Sequence, residues 1–326
     1  MNNKPPFQIT NNILELLQNI SHELGVLLGA KLYCPPVKLR KNNRIKTIHS
    51  SLAIEGNTLS IKQITDLING KRVLAPEKDI IEVNNAIKLY NNLNILNPLS
   101  IESLLEAHKL LMQGLITDNG RWRNSGAAIF KGKEIAHLAP PAKRAALLMK
   151  DLFYFINHNS DIPEVIKACV FHYELEFIHP FSDGNGRMGR LWQQLLLIKT
   201  NAIFEYISVE SLVRNNQSEY YNTLNKCDKL GEPTLFIEFM MTQILEALKL
   251  YTNDATPNAN TASSRIEIAK INLSNKWFSR KDYILIHKDM STATASRDLS
   301  FGIEQGILIC KGIKNQTYYK FKEKEL

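Results

Sequence analysis

The chain has 326 residues and a formal net charge of +8, which exceeds one typical domain and allows two or three units that each bury a core. No apolar run reaches the roughly 18 residues of a membrane helix and no charged-then-apolar leader follows Met1, so a cytoplasmic protein without membrane contact is expected. Cys34, Cys169, Cys227 and Cys310 are scattered without metal-ligand spacing and read as reduced core thiols. The charge is uneven: residues 265–326 carry 12 Lys/Arg against 7 Asp/Glu, which suits an anionic partner.

Residues 1–10, polar and containing Pro5-Pro6, read as an arm. Ile13, Leu16, Leu17, Ile20 and Leu24 mark a helix over 11–31 that ends near Gly29, and Pro35-Pro36 breaks the chain. In a second helix over 40–55, Ile45, Ile48 and Leu52 form an inward stripe that Glu55 continues. Ser51 shares the face of Glu55, and Gly56-Asn57 supplies a stop. A carboxylate so placed is expected to be buried and needs a cation, for which Arg190 is the expected partner.

Helices over 60–69 and 79–92 follow, joined by a basic turn at Lys71-Arg72. A helix over 100–115, capped by Ser100, turns Leu104, Leu105, His108 and Leu111 inward, His108 as a packed, hydrogen-bonded core histidine. Ala127 to Leu138 reads as two short strands around Lys-Gly-Lys-Glu, closed by Pro140-Pro141. Its open edges suit the addition of an extended peptide. After a helix over 143–157, Asp161-Ile-Pro-Glu164 is expected to cap the helix that leads to His179, with Val165, Cys169, His172, Leu175 and Phe177 in the core.

The run His179-Pro-Phe-Ser-Asp-Gly-Asn-Gly-Arg-Met-Gly-Arg190 holds the densest chemistry. Gly184 and Gly186 allow close backbone approach at the start of a helix whose N–H groups and dipole favour an anion such as a phosphate. Arg187 and Arg190, three apart, lie on one face and reach the outer oxygens of such a ligand. Asp183 is a hard oxygen donor suited to Mg²⁺, and a histidine, with an ordinary pKa of about 6.5, can take a proton from a hydroxyl near neutral pH.

Further on, Asn216 to Leu224 and Leu235 to Leu250 read as helices, and the polar, aromatic-free stretch 252–264 as a linker. Helices at about 265–273 and 280–286 precede one starting at Ser291, with Ala295, Leu299 and Ile303 inward and Ser296 and Arg297 outward. Ile307 to Cys310 and Gln316 to Phe321 complete a hairpin, giving a winged helix by order of elements. With Asp289 and Asp298 beside its third helix, docking or dimerisation is favoured over DNA binding.

The twelve-residue run resembles the Fic motif His-x-Phe-x-(Asp/Glu)-Gly-Asn-Gly-Arg-x-x-Arg at every defined position. The resemblance implies a mainly α fold, a Fic-type helical bundle with a short β-hairpin flap, plus the C-terminal winged helix. It implies a protein adenylyltransferase that moves AMP from ATP to a protein hydroxyl with Mg²⁺. In that carry-over His179 is the general base, Asp183 the Mg²⁺ ligand, and Gly184, Asn185 and Gly186 the anion hole. Arg187 and Arg190 contact the terminal phosphates, and Phe181 anchors the loop.

Ser51-Leu-Ala-Ile-Glu55-Gly56 resembles the family's inhibitory motif, in which the glutamate pairs with the second motif arginine. The hairpin resembles the target-docking flap, with Ile129, Phe130 and His137 facing the target. Asn216-x-x-x-Tyr220-Tyr221 resembles the segment near the adenine, and no role is assigned to either tyrosine. The expected organisation is an N-terminal helical region over 1–98, a catalytic core over 99–251, the linker over 252–264 and the winged helix over 265–326. Removal of AMP with Glu55 orienting a water, or DNA-binding regulation through the winged helix, are the alternatives; self-modification and a homodimer stay open.

Overall fold

A computed structural model describes residues 4–29, 37–126, 128–131, 134–255, 262–273, 276–287, 290–312 and 317–322. The fold is mainly helical, and the chain divides into two units, Met1–Tyr251 and Thr252–Leu326. In the first, the described helices are α1 (Asn11–Gly29), α2 (Val37–Ile54), α3 (Ile61–Ile68), α4 (Glu77–Tyr90), α5 (Ile101–Leu111), α6 (Ala142–His158), α7 (Glu164–Ile178), α8 (Asn185–Thr200), α9 (Val209–Asn215), α10 (Gln217–Leu230) and α11 (Thr234–Ala255). Between α5 and α6 lies one antiparallel hairpin, β1 (Ala128–Lys131) with β2 (Glu134–Leu138).

The centre of the first unit is the α7/α8 pair, joined by residues 179–184. On α7 every residue from Val165 to Tyr173 is buried, and on α8 every residue from Arg187 to Leu197. Helices buried all round belong at the centre of a bundle rather than on its surface. Phe153 of α6 meets Phe171 of α7 edge-on at 5.3 Å, and Phe171 lies 6.3 Å from Trp192 of α8, so aromatic packing fixes the pair from one side. The indole N–H of Trp192 donates to Pro98 O at 2.9 Å.

Local signals explain most boundaries. Ser60 caps α3 through a full capping box with Gln63, and Ser100 caps α5 by accepting from Ser103 N. The α7 start differs from expectation: Asp161 makes no cap, Pro163 is the N-cap residue without a side-chain bond, and Glu164 is the first helical residue. Helix α2 stops at Ile54, so Glu55 lies in the turn after it rather than on its stripe. Cys169 and Cys227 are buried but Cys310 is exposed, so it is not a core thiol; Cys34 lies outside the described residues.

The second unit contains α12 (Ala262–Leu273), β3 (Phe278–Ser279), α13 (Arg280–Ile286), α14 (Thr292–Glu304), β4 (Leu308–Lys311) and β5 (Tyr318–Phe321), with sheet order β3-β5-β4. The two-residue β3 is too short to show a period-2 pattern and is absent from the sequence expectation. Residues 252–255, expected in a linker, continue α11, and 256–261 lie outside the described residues.

Ile266, Ala269, Phe278, Tyr283, Ala295, Leu299, Leu308 and Phe321 form this unit's core. Ile303, expected inward, is exposed; Gly302, three residues on from Leu299, takes the inward place against Leu308. Asp298, expected to weaken the surface charge of α14, is instead buried and receives both Arg265 Nε (2.6 Å) and Arg265 Nη2 (2.7 Å), with the Tyr283 hydroxyl at 3.2 Å. Loss of the buried carboxylate removes two bonds from the partly buried Arg265 and one from the Tyr283 hydroxyl. Asp298→Ala should therefore speed hydrogen exchange throughout α12–α14 while leaving α7 and α8 unchanged; unaltered exchange in α12–α14 would show that the ion pair does not hold this unit together.

Candidate functional site

The loop between α7 and α8 brings the motif together. His179 ends α7 in the left-handed region (φ 49°, ψ 58°), the only non-glycine with positive φ among the described residues. That strained turn is held by Arg123, itself buried, whose Nε donates to His179 O at 2.6 Å while its backbone N donates to Pro180 O at 2.9 Å. Arg123 also donates to Ser125 O and Pro140 O, tying both sides of the hairpin to the histidine turn. Nδ1 of His179 donates to Glu176 O at 3.3 Å, which puts the basic lone pair on Nε2.

Beneath the loop Phe181 is fully buried and stacks on His108 at 3.7 Å and on Trp122 at 5.2 Å. His108 Nδ1 accepts from Gly120 N, so Nε2–H is the donor to Asp183 O at 3.0 Å. Burial, opposed by that carbonyl bond and aided by the charge of Arg187, pushes this imidazole down to about 4. Expected as a core histidine, His108 proves to be one that holds the motif backbone.

Gly184 starts α8 at φ 86°, where a Cβ would meet Met112 Sδ at 2.7 Å. Asn185 folds its side chain back, Oδ1 accepting from Phe181 N at 2.9 Å and Nδ2 donating to Phe181 O at 3.0 Å; its amide closes the loop rather than facing a ligand. The N–H groups of Asn185, Gly186 and Arg187 have no carbonyl within the helix, and among the described residues no group accepts from them. Three such donors at a helix N-terminus make an anion site. Gly186 borders it so closely that a Cβ there would collide with the Glu55 carboxylate.

Arg190 is nearly fully buried and is met from α2. Its Nε donates to Ser51 Oγ at 3.2 Å, and its Nη2 donates to Ser51 O at 3.0 Å and to Glu55 Oε1 at 2.7 Å. Burial works against the charge, but Glu55, followed by Tyr220 and Glu176, more than offsets it and holds the guanidinium more basic than an ordinary arginine. The structure thus joins Ser51, Glu55 and Arg190 as the sequence predicts. Burial of Glu55 is not as expected: its side chain is 30% exposed because α2 has already ended, and only the carboxylate tip reaches inward. Gln217 Nε2 (2.9 Å) and the Tyr221 hydroxyl (3.4 Å) donate to Ile54 O and hold that helix end.

Arg187 has a 5% exposed side chain. It donates through Nη1 to Glu82 Oε1 at 3.0 Å and through Nη2 to Asp183 Oδ1 at 3.2 Å. Asp183 Oδ1 also accepts from Gly184 N, and the carboxylate is 51% exposed. No group of three or more His, Cys, Asp and Glu side chains suited to a metal occurs among the described residues. A single accessible carboxylate beside an anion site fits Mg²⁺, which is commonly bound through one or two carboxylates together with substrate phosphates.

Glu82 and Glu176 escaped the sequence reading, which also gave Arg123 and Asn57 no place at the site. Each comes from outside the motif or at its edge and carries no local pattern of its own. For the hairpin, the backbone pairs Ile129 with His137 across β1 and β2, with a register shift between Ile129 and Phe130. The side chains of Ile129, Phe130 and His137 lie outside the described residues. Tyr220 is a core residue, its hydroxyl 3.0 Å from His172 Nε2 and 3.2 Å from Glu176 Oε1.

Comparison with known proteins places this geometry. The Fic/DOC family model matches residues 98–197. A crystal structure of a Fic family protein from Desulfovibrio desulfuricans G20 superposes with a TM-score of 0.74 at 34% identity, covering 99% of both chains. The chain belongs to the Fic/DOC family. It is distantly related to the protein adenylyltransferase Fic of Drosophila virilis (28% identity over 224 residues, 66% of this chain) and to protein adenylyltransferase fic-1 of Caenorhabditis elegans (28% over 216 residues, 63% of this chain). The matched stretch spans 44% and 40% of those relatives' lengths. The structure of Fic-1 residues 134–508 shares the fold, with a TM-score of 0.60 at 21% identity over 74% of this chain and 73% of that one.

The buried imidazoles give the site a pH signature. His172 is pushed down to about 3 by burial and by the charge of Arg190, and His108 to about 4, against an ordinary value near 6.5. Between pH 6.5 and 4 the unfolded chain binds protons at these positions while the folded chain does not. Stability present above pH 6.5 is therefore lost as pH falls through that window. Buried Glu174 and Glu210, both raised to about 7, act in the opposite sense over the same range, so the test is a comparison: as pH falls from 7 to 4.5 the thermal midpoint of His172→Gln should lose less, or gain more, than that of the native protein. An identical pH dependence in the two proteins would contradict a neutral, buried His172.

Proposed function

We propose that this protein transfers AMP from ATP to a hydroxyl of a target protein and is restrained by Glu55. The carrying observation is the juxtaposition, at one helix N-terminus, of three undedicated N–H donors, the His179 turn and an arginine already held by a carboxylate. The triphosphate would lie across the start of α8, with Arg187 and Arg190 towards its outer phosphates. Asp183 would hold Mg²⁺, which neutralises phosphate charge and steadies the pyrophosphate leaving group. His179 Nε2 takes the proton from the target hydroxyl as that oxygen attacks the α-phosphorus. The oxygen–phosphorus bond forms as the bond to the β-phosphate oxygen breaks, and pyrophosphate departs.

The hairpin supports a docking role for the target, since an extended segment can pair with an open strand edge. The order of elements in the second unit, with its β3-β5-β4 sheet, supports a winged helix over 265–326 that serves docking or dimerisation. DNA binding through α14 is the lesser reading, because Ser296 there is already engaged with Arg280 and Thr292 O. No helix among the described residues is long and apolar enough to cross a membrane.

Glu55 acts by occupying Arg190 and by placing negative charge where a γ-phosphate would sit. ATP then binds in a pose that lacks the in-line geometry, so the restraint falls on turnover. Glu55→Gly should raise transfer from labelled ATP by at least about tenfold, or roughly 1.4 kcal/mol of barrier, and a further Arg190→Ala should remove the gain. Unchanged turnover in the single variant, or full activity in the double, refutes the pairing as a restraint. His179→Ala should abolish transfer yet retain ATP affinity; transfer at the native rate would mean another base. Removal of AMP is a second reading, favoured by the Glu55 carboxylate lying beside Gly186, and Mg²⁺-dependent release of AMP from a modified target would establish it.

A further inference from the structure

The first motif arginine has a partner that the motif does not contain. Glu82, on α4, is 6% exposed, and both of its carboxylate oxygens are engaged: Oε1 accepts from Arg187 Nη1 at 3.0 Å and Oε2 from Asn57 Nδ2 at 2.8 Å. Asn57, two residues beyond Glu55, is likewise engaged through both atoms of its amide. Its Nδ2 also donates to Asp79 O at 3.1 Å, and its Oδ1 accepts from Leu59 N at 3.1 Å. That pattern fixes the amide orientation, because the reverse would set an oxygen against a carbonyl and a carboxylate. A continuous chain of bonds therefore runs from the turn after α2 through Asn57, Glu82 and Arg187 to Asp183.

We propose that Glu82 is a positioning residue that keeps the Asp183 carboxylate available to a divalent cation by sharing the charge of Arg187; this rests on the reading of Asp183 as the Mg²⁺ ligand. Two electrostatic arguments point the same way. Glu82, Arg187 and Asp183 together carry a net charge of −1 (two carboxylates, one guanidinium), which attracts a cation. With Glu82 neutral the cluster carries none. Arg187 would also be left with Asp183 as its sole charged partner, and would close on the oxygen that the cation needs. A buried arginine seeks a carboxylate, and without Glu82 the nearest one is the ligand itself.

The test is binding of Mn²⁺, followed by electron paramagnetic resonance, to the full chain loaded with a non-hydrolysable ATP analogue. Glu82→Gln should weaken Mn²⁺ binding at least about tenfold, since it keeps shape and removes charge. Glu82→Asp, which restores the charge, should stay within about threefold of the native protein. Asn57→Ala, which breaks the chain of bonds but leaves the charges, should also stay within about threefold. Native Mn²⁺ affinity in Glu82→Gln overturns the proposal. So does a tenfold loss in Glu82→Asp or Asn57→Ala, which would mark a packing role instead. If Glu82→Gln does not fold by circular dichroism, the other two variants still decide. Absence of AMP transfer in every variant would refute the proposed activity while leaving this cation measurement intact.

Discussion

Two guanidinium groups buried on one face of α8 set the terms for the first unit. An arginine taken out of water needs a counter-charge, or the desolvation cost of several kcal/mol goes unmet. Arg187 and Arg190 meet that need with carboxylates from helices remote in sequence, Glu82 of α4 and Glu55 just after α2. The N-terminal helices are therefore more than a cover over the α7/α8 pair, because they complete its charge. The same arrangement leaves three N–H groups at the start of α8 without a protein acceptor, so the loop carries positive potential of its own.

Positioning in the loop is done largely by ring stacking and by bonds to backbone groups. His108 and Trp122 hold the Phe181 ring, Asn185 closes on the Phe181 backbone, and Arg123 fixes the His179 turn through backbone carbonyls. These groups need no charge change to do their work. The charged groups, by contrast, are the ones that would exchange partners in the proposed reaction: Arg190 between Glu55 and a phosphate, and Asp183 between Arg187 and a cation. Fixed support beneath exchangeable charge suits the polyanion site proposed above.

The motif loop and its helix were legible in the sequence because the pattern is local, and the Ser51–Glu55–Arg190 contact because each of its ends resembles a family motif. Spacing of three between the arginines, glycines at a helix start and an apolar stripe leading to Glu55 all act within a few residues. What stayed hidden depended on contacts between distant segments. Nothing in Glu-Val-Asn-Asn marks Glu82 as the partner of an arginine 105 residues on, and Arg123 looks like any surface cation until its carbonyl acceptors are assembled around it. The exposed Glu55 was misjudged for a related reason: a helix ending one residue early breaks a stripe that periodicity alone extends.

The separation of these partners along the chain also orders events at synthesis. Glu55 precedes Arg190 by 135 residues and Glu82 precedes Arg187 by 105. Translation runs from the N-terminus, so both carboxylates have left the ribosome well before either arginine appears. The arginines emerge into a solution that already contains their counter-charges on the same chain, at the high effective concentration of a tether. The nascent chain thus never passes through a stage in which the motif exists and the acidic residues that neutralise it do not.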